Sequence, residues 1–388
     1  MKDNNDNEDL VALAGMAVLT AAIWKGIEFF SGKSNETEAE RLYQEGIQQY
    51  SKGAYNEAIK YSLEAIKKNP NHAGAYNQIA WIYALNNFEL EQALRYAQKA
   101  ISLAKTPNDQ ANFRDTLADI YARLGDFDRA IVEFKNCLQT VPDFDKVFPD
   151  NSASYRLGLC YQAKQDLGNA YLYMQQALRV NPKNPFIYSA TGDISLALGN
   201  YHDAIACYNE AITQISTWSL PNEHRQYWKS AWLCNNGVAY YHLEDYKASQ
   251  QMNESAYQAF PTNPYPVINL AALAGRNQEK NKMRLFLEKG IPLLNPQQNS
   301  DLIVFMLTHP NFDEYREIVL DLLKSHGKIS QLEYSQRKKS LSESRSRQTQ
   351  SPTFVYQPTT TINGNVGAIL SGDNASVKNI NTGTSNQS

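Results

Sequence analysis

Between residues 38 and 297 apolar positions recur at helical spacing in paired segments, each pair joined by a tight turn. In the first pair, residues 40–51 mix polar and apolar positions at helical spacing, and Lys52-Gly53-Ala54 supplies the turn. Residues 55–68 then place Ala58, Ile59, Tyr61, Ala65 and Ile66 on one stripe. Gly53 takes a positive φ at little steric cost, and Pro70, just past the second segment, cannot continue it. The pattern predicts two antiparallel helices. Small residues at Gly46, Ala58 and Ala65 let the backbones approach closely, and tyrosines fill the gaps around them. One hairpin cannot bury its apolar stripe alone, so neighbouring hairpins must stack.

The unit repeats. A small residue, often followed three residues later by an aromatic, stands at Gly46, Ala80, Ala118, Gly158, Gly192, Gly237 and Ala271, at intervals of 34, 38, 40, 34, 45 and 34 residues. A base period of about 34 with three insertions accounts for these intervals. The small-residue-to-proline spacing of Ala58/Pro70 returns as Ala130/Pro142, Ala170/Pro182 and Ser249/Pro261. Period, helix lengths and punctuation together resemble the tetratricopeptide repeat, with about seven repeats over residues 38–297. The resemblance implies an all-α fold, a right-handed α-solenoid of helical hairpins.

It also implies where a ligand lies. In tetratricopeptide proteins the first helix of each hairpin lines a concave groove that takes extended or helical peptides. Helix phase puts Tyr43, Ile47 and Tyr50 of the first repeat on that surface, with Asn77 and Trp81 of the second. The third adds Asp115, Asp119 and Arg123, the fourth Tyr155 and Leu159, the fifth Asp193 and the sixth Tyr241. Such a groove is aromatic with an acidic centre, suited to a protein or peptide segment carrying Lys or Arg between apolar anchors. Ordinary packing between neighbouring first helices is the competing role for each residue. Some members grip a chaperone's C-terminal carboxylate with Lys and Asn. The matching places here hold Tyr43, Ile47, Asn77 and Asp115, with no lysine, so that use is not expected.

Residues 1–37 have a different pattern. Residues 10–24 are uncharged and apolar on every helical face, and Phe29 and Phe30 extend the stretch past Lys25 and Glu28. As a helix, residues 10–30 span about 31 Å, near the hydrocarbon thickness of a bilayer. Acidic residues precede the stretch (Asp3, Asp6, Glu8, Asp9) and basic ones follow it (Lys25, Lys33, Arg41). That order disfavours a cleaved signal peptide and turns the repeats toward the cytoplasm. A single-pass membrane anchor is the expectation; a cap on the first repeat or an interfacial helix in a cytoplasmic protein are the alternatives.

Three insertions fall around residues 86–90 and 106–110, at 143–150 and at 216–229. The last is aromatic and reads either as a ligand-contacting loop or as a lengthening of the flanking helices. Beyond the seventh hairpin, residues 301–306 and 313–323 are expected to form capping helices within a segment 298–326. Residues 324–347 are basic with interleaved serines and read as a solvated helix fraying into a basic, polar linker (327–357), or as a contact with anionic lipid headgroups or another acidic surface. Residues 358–388 hold short β-branched runs (359–362, 366–370, 376–380) between Asn-Gly-Asn and Gly-Asp-Asn turns. Three such strands are not stable alone, so this tail is either disordered or pairs with copies of itself or with a partner's sheet edge.

Composition narrows the function. With 388 residues, 43% hydrophobic, 20% charged and a net charge of −3, the chain has no general attraction for nucleic acid. Cys137, Cys160, Cys207 and Cys234 stand singly, and Cys137 fills a slot held elsewhere by Ala65, Ala177 and Ala211, which reads as small-residue packing. The six histidines are scattered, and the chain carries no phosphate loop, dinucleotide fingerprint or nucleophile elbow. No catalytic residue, metal site or cofactor is expected. The expected function is a membrane-anchored interaction scaffold; the alternative is a soluble signalling or defence adaptor that multimerises through its tail.

Overall fold

The computed structural model describes residues 38–147 and 152–344. The anchor segment at 10–30 and the tail at 358–388 therefore lie outside the described residues. Among the described residues all regular structure is helical. Seven hairpins follow one another: α1 (Glu38–Ser51) with α2 (Tyr55–Lys68), α3 (Ala73–Leu85) with α4 (Leu90–Leu103), and α5 (Pro107–Arg123) with α6 (Phe127–Thr140). After the one-turn α7 (Phe144–Val147) come α8 (Ala153–Ala163) with α9 (Leu167–Val180) and α10 (Pro185–Ala197) with α11 (Tyr201–Ile215). Then follow α12 (Asn222–His242) with α13 (Tyr246–Ala259) and α14 (Pro264–Arg276) with α15 (Lys280–Gly290). Within the first unit α2 packs on α1 and α3, α4 on α3 and α5, and α6 on α5 and α8; within the second α11 packs on α12, and α13 on α12 and α14, the stacking of α-solenoid repeats.

One backbone device draws the bend in every hairpin. Seven residues after each small residue, φ is positive: Gly53, Asn87, Gly125, Gln165, Gly199, Glu244 and Gln278. The helix must reverse within three or four residues, and a left-handed residue turns the chain while satisfying the last carbonyls of the first helix. The residue after it often caps the second helix. Asp126, Asp166 and Asp245 accept from the backbone N–H groups of Arg129, Asn169 and Ala248 at 3.0, 3.2 and 3.0 Å. The 86–90 insertion makes this bend longer, with both Asn87 and Glu89 left-handed.

The chain falls into two compact units, divided after Ala190. In the first unit, Ala58, Ala65, Ala75, Ala93 and Ala97 are fully buried where helices touch, and Phe134 fills the third hairpin. Burying a side chain of that size contributes about 1.5–3 kcal/mol. In the second unit the Tyr208 ring fills the space beside Gly192, where a Cβ would lie 2.8 Å from it. Likewise the Asn311 carbonyl oxygen stands 2.1 Å from where a Cβ on Gly275 would be. That close approach seats the segment after α15 on the seventh hairpin. This segment comprises α16 (Ser300–Thr308), a 3₁₀ turn (Pro310–Tyr315), α17 (Arg316–Ser325) and α18 (Gln331–Ser344).

Two points that the sequence leaves open take definite form here. The helix expected to fray into the linker spans residues 331–344 and is docked on α17 through a bond from the Tyr334 hydroxyl to Asp321 at 2.7 Å. The 216–229 insertion is largely a lengthening of α12, which starts at Asn222 and runs for 21 residues. Among the described residues no helix is long and apolar enough to cross a membrane.

Candidate functional site

The two positions of each first helix expected to face the groove share one helix phase: Tyr43 and Ile47, Asn77 and Trp81, Asp115 and Asp119, Tyr155 and Leu159. In the first two hairpins these residues are half-buried and held in place by neighbours. The Tyr43 ring lies 4.8 Å from that of His72 and presses on Gly74 at the start of α3. His72 caps α3 by accepting from Ala75 N–H at 3.1 Å, and its other ring nitrogen meets Glu40 at 3.1 Å. Tyr50, itself buried, receives the indole N–H of Trp81 at 2.9 Å. Asn77 is half-buried, and its side-chain oxygen is shielded from solvent without a hydrogen bond.

The third and fourth hairpins differ. Asp115, Asp119, Arg123 and Tyr155 are all buried. Arg156, on α8, donates to Asp115 and lies 3.9 Å from Asp119, while Arg123 donates to Asp119 at 2.6 Å. The acidic centre expected from the sequence is thus answered inside the chain by two arginines. A buried carboxylate needs a cation or several hydrogen-bond donors to offset its lost hydration, and here the fold supplies the cations. Asp145, in the insertion that forms α7, accepts from the backbone N–H of Ser154 at 3.3 Å. Burial raises the Asp115 carboxyl to about 6 against the opposing pull of Arg156.

Arg156 was missed because its neighbour Tyr155 holds the groove-facing phase. A lone arginine among Ser154, Leu157, Leu159 and Cys160 was the available signal, since a buried charge needs a partner.

In the second unit Asp193 is buried and receives the Tyr208 hydroxyl at 2.7 Å and the Asn235 amide at 3.3 Å. Its carboxylate is bound within the unit, not held out to a cationic partner. Tyr241 is half-buried, accepts from the Asn311 amide at 3.3 Å and packs edge-on against Tyr246. The lengthened α12 contributes Tyr227, Trp228 and Trp232 to an aromatic cluster with Phe260.

Burial pushes the Cys160 and Cys207 thiols up to about 12 and raises those of Cys137 and Cys234 as well, so none is a thiolate at neutral pH. Among the described residues no group of His, Cys, Asp and Glu side chains could hold a metal ion.

The tetratricopeptide repeat profile matches residues 73–107, 111–143, 152–184 and 187–215. Superkiller protein 3 of Schizosaccharomyces pombe is 24% identical over 177 residues, 45% of this chain and 12% of that protein. A TPR repeat-containing protein of Methanocaldococcus jannaschii is 22% identical over 258 residues, 64% of this chain and 43% of that protein. The chain thus spans less than half the length of these curated relatives. The crystal structure of the APC/C hetero-tetramer Cut9–Hcn1 superposes with a TM-score of 0.51 at 16% identity, over 76% of this chain and 53% of that one. That likeness is one of fold.

Proposed function

This chain is built on tetratricopeptide repeats, and on that premise we propose that it is a protein-interaction scaffold that binds a partner segment along its first helices. The observation that carries this reading is the partly exposed surface of Tyr43, Ile47, Asn77 and Trp81, fixed before any ligand arrives. A surface already ordered loses little side-chain entropy on binding, and aromatic groups contribute most per residue. Tyr241 offers a comparable partly exposed ring in the second unit. The scaffold performs no reaction of its own.

The internal pairing of Asp115 and Asp119 changes the partner expected. A basic segment would have to break the bonds from Arg156 and Arg123, so apolar and aromatic anchors lead and charge is secondary. Recovery of partners with Trp81→Ala and Tyr43→Ala, each checked for folding, tests the groove. Loss of the same partners in both is expected; unchanged recovery removes this surface from consideration. Asp119→Lys is a poor probe, because it would bury a like charge beside Arg123 and Arg156.

Residues 10–30 supply the second half of the proposal, a membrane anchor that leaves the repeats on the cytoplasmic side. Alkaline extraction of a membrane fraction should leave the chain in the pellet; complete release defeats the anchor. A soluble adaptor assembled through residues 358–388 is the second reading, motivated by their β-branched runs. It requires a mass above the monomer by light scattering that falls when residues 351–388 are removed.

A further inference from the structure

Past the seventh hairpin, a cavity of about 240 Å³ opens between α16, α17 and α18. It is lined by Leu307 of α16, Arg316 and Leu320 of α17, and Arg337, Ser340 and Leu341 of α18. All of these residues belong to the second unit, and none stands on the first helix of a hairpin. Arginine is seldom drawn into a small leucine-lined space unless it has something to bind there.

The place of the second arginine is unusual for its helix. The partly buried residues of α18 are Glu333, Tyr334, Arg337 and Leu341, which recur at helical spacing and form the face docked on α17. Tyr334 and Leu341 suit such a face. Arg337 stands between them, while Lys338 and Lys339 are exposed. A position that would pack more simply with leucine keeps a cation at the cavity wall.

Both arginines are held in place without being used up. Arg316 donates through one terminal nitrogen to the Thr308 carbonyl at 3.1 Å and to Asp313. Its Nε–H is shielded from solvent and has no partner, so this cation gains more from a nearby anion than a fully hydrated one does. Arg337 bonds Glu333 through Nε and Nη2 at 3.1 and 3.0 Å. A guanidinium carries more N–H donors than one carboxylate can take, so each fork can share a second anion. The two side chains are 24% and 40% exposed, and ion pairs so near water are weak enough to share. That separates them from Arg123 and Arg156, which are locked in buried pairs.

We propose that this cavity binds the carboxylate of a small apolar acid between Arg316 and Arg337, with the hydrocarbon part against Leu307, Leu320 and Leu341. Ser340 donates to the Gln336 carbonyl at 3.1 Å, so the arginines are the donors left for the ligand. One carboxylate fits better than a phosphate dianion, because Asp313 and Glu333 already balance the two arginines. The volume is below the roughly 300–1,000 Å³ of sites for drug-sized molecules, so the acid carries a single branched or aromatic group. Free acids offer that chemistry, and so does the last residue of a polypeptide.

Saturation-transfer NMR on the full chain tests the site with 4-methylpentanoate and N-acetylleucine, which share the carboxylate and the isobutyl group. Saturable binding is expected, tighter for the first if the site takes free acids and for the second if it takes a chain end. N-acetylleucinamide, which lacks the charge, should bind at least about tenfold more weakly than N-acetylleucine. Arg337→Gln should weaken both acids by about tenfold or more while the chain stays folded, and Arg316→Gln serves if that variant does not fold. Lys339→Gln lies off the cavity and should change affinity by less than about twofold. Absence of saturation, an amide that binds as well as the acid, displacement by equal inorganic phosphate, or an equal loss in Lys339→Gln would each overturn the proposal. Trp81→Ala should bind these acids like the parent, so this site and the scaffold surface stand or fall separately.

Discussion

Trp81 donates its indole N–H to the hydroxyl of Tyr50 at 2.9 Å, joining the first helices of the first and second hairpins. Tyr50 sits in a cluster with Ala58 and Ile82, against which Trp81 packs. Tyr50→Phe keeps the ring and removes the acceptor, and should cost about 0.5–1.5 kcal/mol. Urea unfolding of the full chain measures it, and a variant as stable as the parent would show that the bond contributes nothing.

Arg156 is the keystone of the buried charges. Arg156→Met keeps much of its volume but withdraws the donor from Asp115 and the nearby cation from Asp119. Breaking a buried pair from one side typically costs about 3–5 kcal/mol. Asp115→Asn placed on that background should recover part of the loss, since a neutral amide replaces a stranded charge. A smaller loss than for Tyr50→Phe would mean that the arginine is dispensable.

The same cluster gives a pH dependence whose sign can be worked out. The folded Asp115 carboxyl is raised to about 6 by burial, above the ordinary aspartate value near 4, so the folded chain holds that proton more tightly than the unfolded chain does. Its contribution is present below about 4 and is lost as the pH rises to about 6. Other carboxylates add slopes of their own, so the difference between the parent and Asp115→Asn is the quantity to follow. Relative to that variant, the parent should lose stability across this window in thermal melts. A parallel pair of curves would contradict the assignment.

Four of the seven bends place a residue with a side chain in the left-handed region, at Asn87, Gln165, Glu244 and Gln278. Asparagine tolerates this region, whereas the others carry a steric cost of about 1–2 kcal/mol. Glycine removes that cost but makes the unfolded chain freer by about 0.5–1 kcal/mol. Gln165→Gly, Glu244→Gly and Gln278→Gly should therefore each leave stability unchanged or raise it by up to about 1 kcal/mol. Gln165→Ala keeps the steric cost and should gain nothing. Denaturation midpoints compare the four directly.

Much of the architecture could be read from the residues. The second helix of the first hairpin runs from Tyr55 to Lys68 as its stripe predicts, and Gly53 takes the positive φ expected of it. For residues 331–344 a solvated helix could be read but not its docking on α17, because polar and apolar positions there carry almost no helical periodicity to mark a packed face. The candidate site was half legible. Period and phase located Asp115, Asp119 and Asp193, but phase tells which way a side chain leaves the backbone and not what it meets. Arg156 and Asp115 are 41 positions apart, a pairing that no local pattern encodes. Tyr208 reaches Asp193 because Gly192 leaves it room, and that relation is visible only once the hairpin is closed.

The shared left-handed corner has an evolutionary corollary. Because the same left-handed corner makes each reversal, a copied hairpin carries its own bend with it, and what must be retuned is its packing on the hairpins beside it. Recombination within such a coding sequence lengthens or shortens the array in whole steps. The outward side chains of each step are then left to diversify under selection for new attachments.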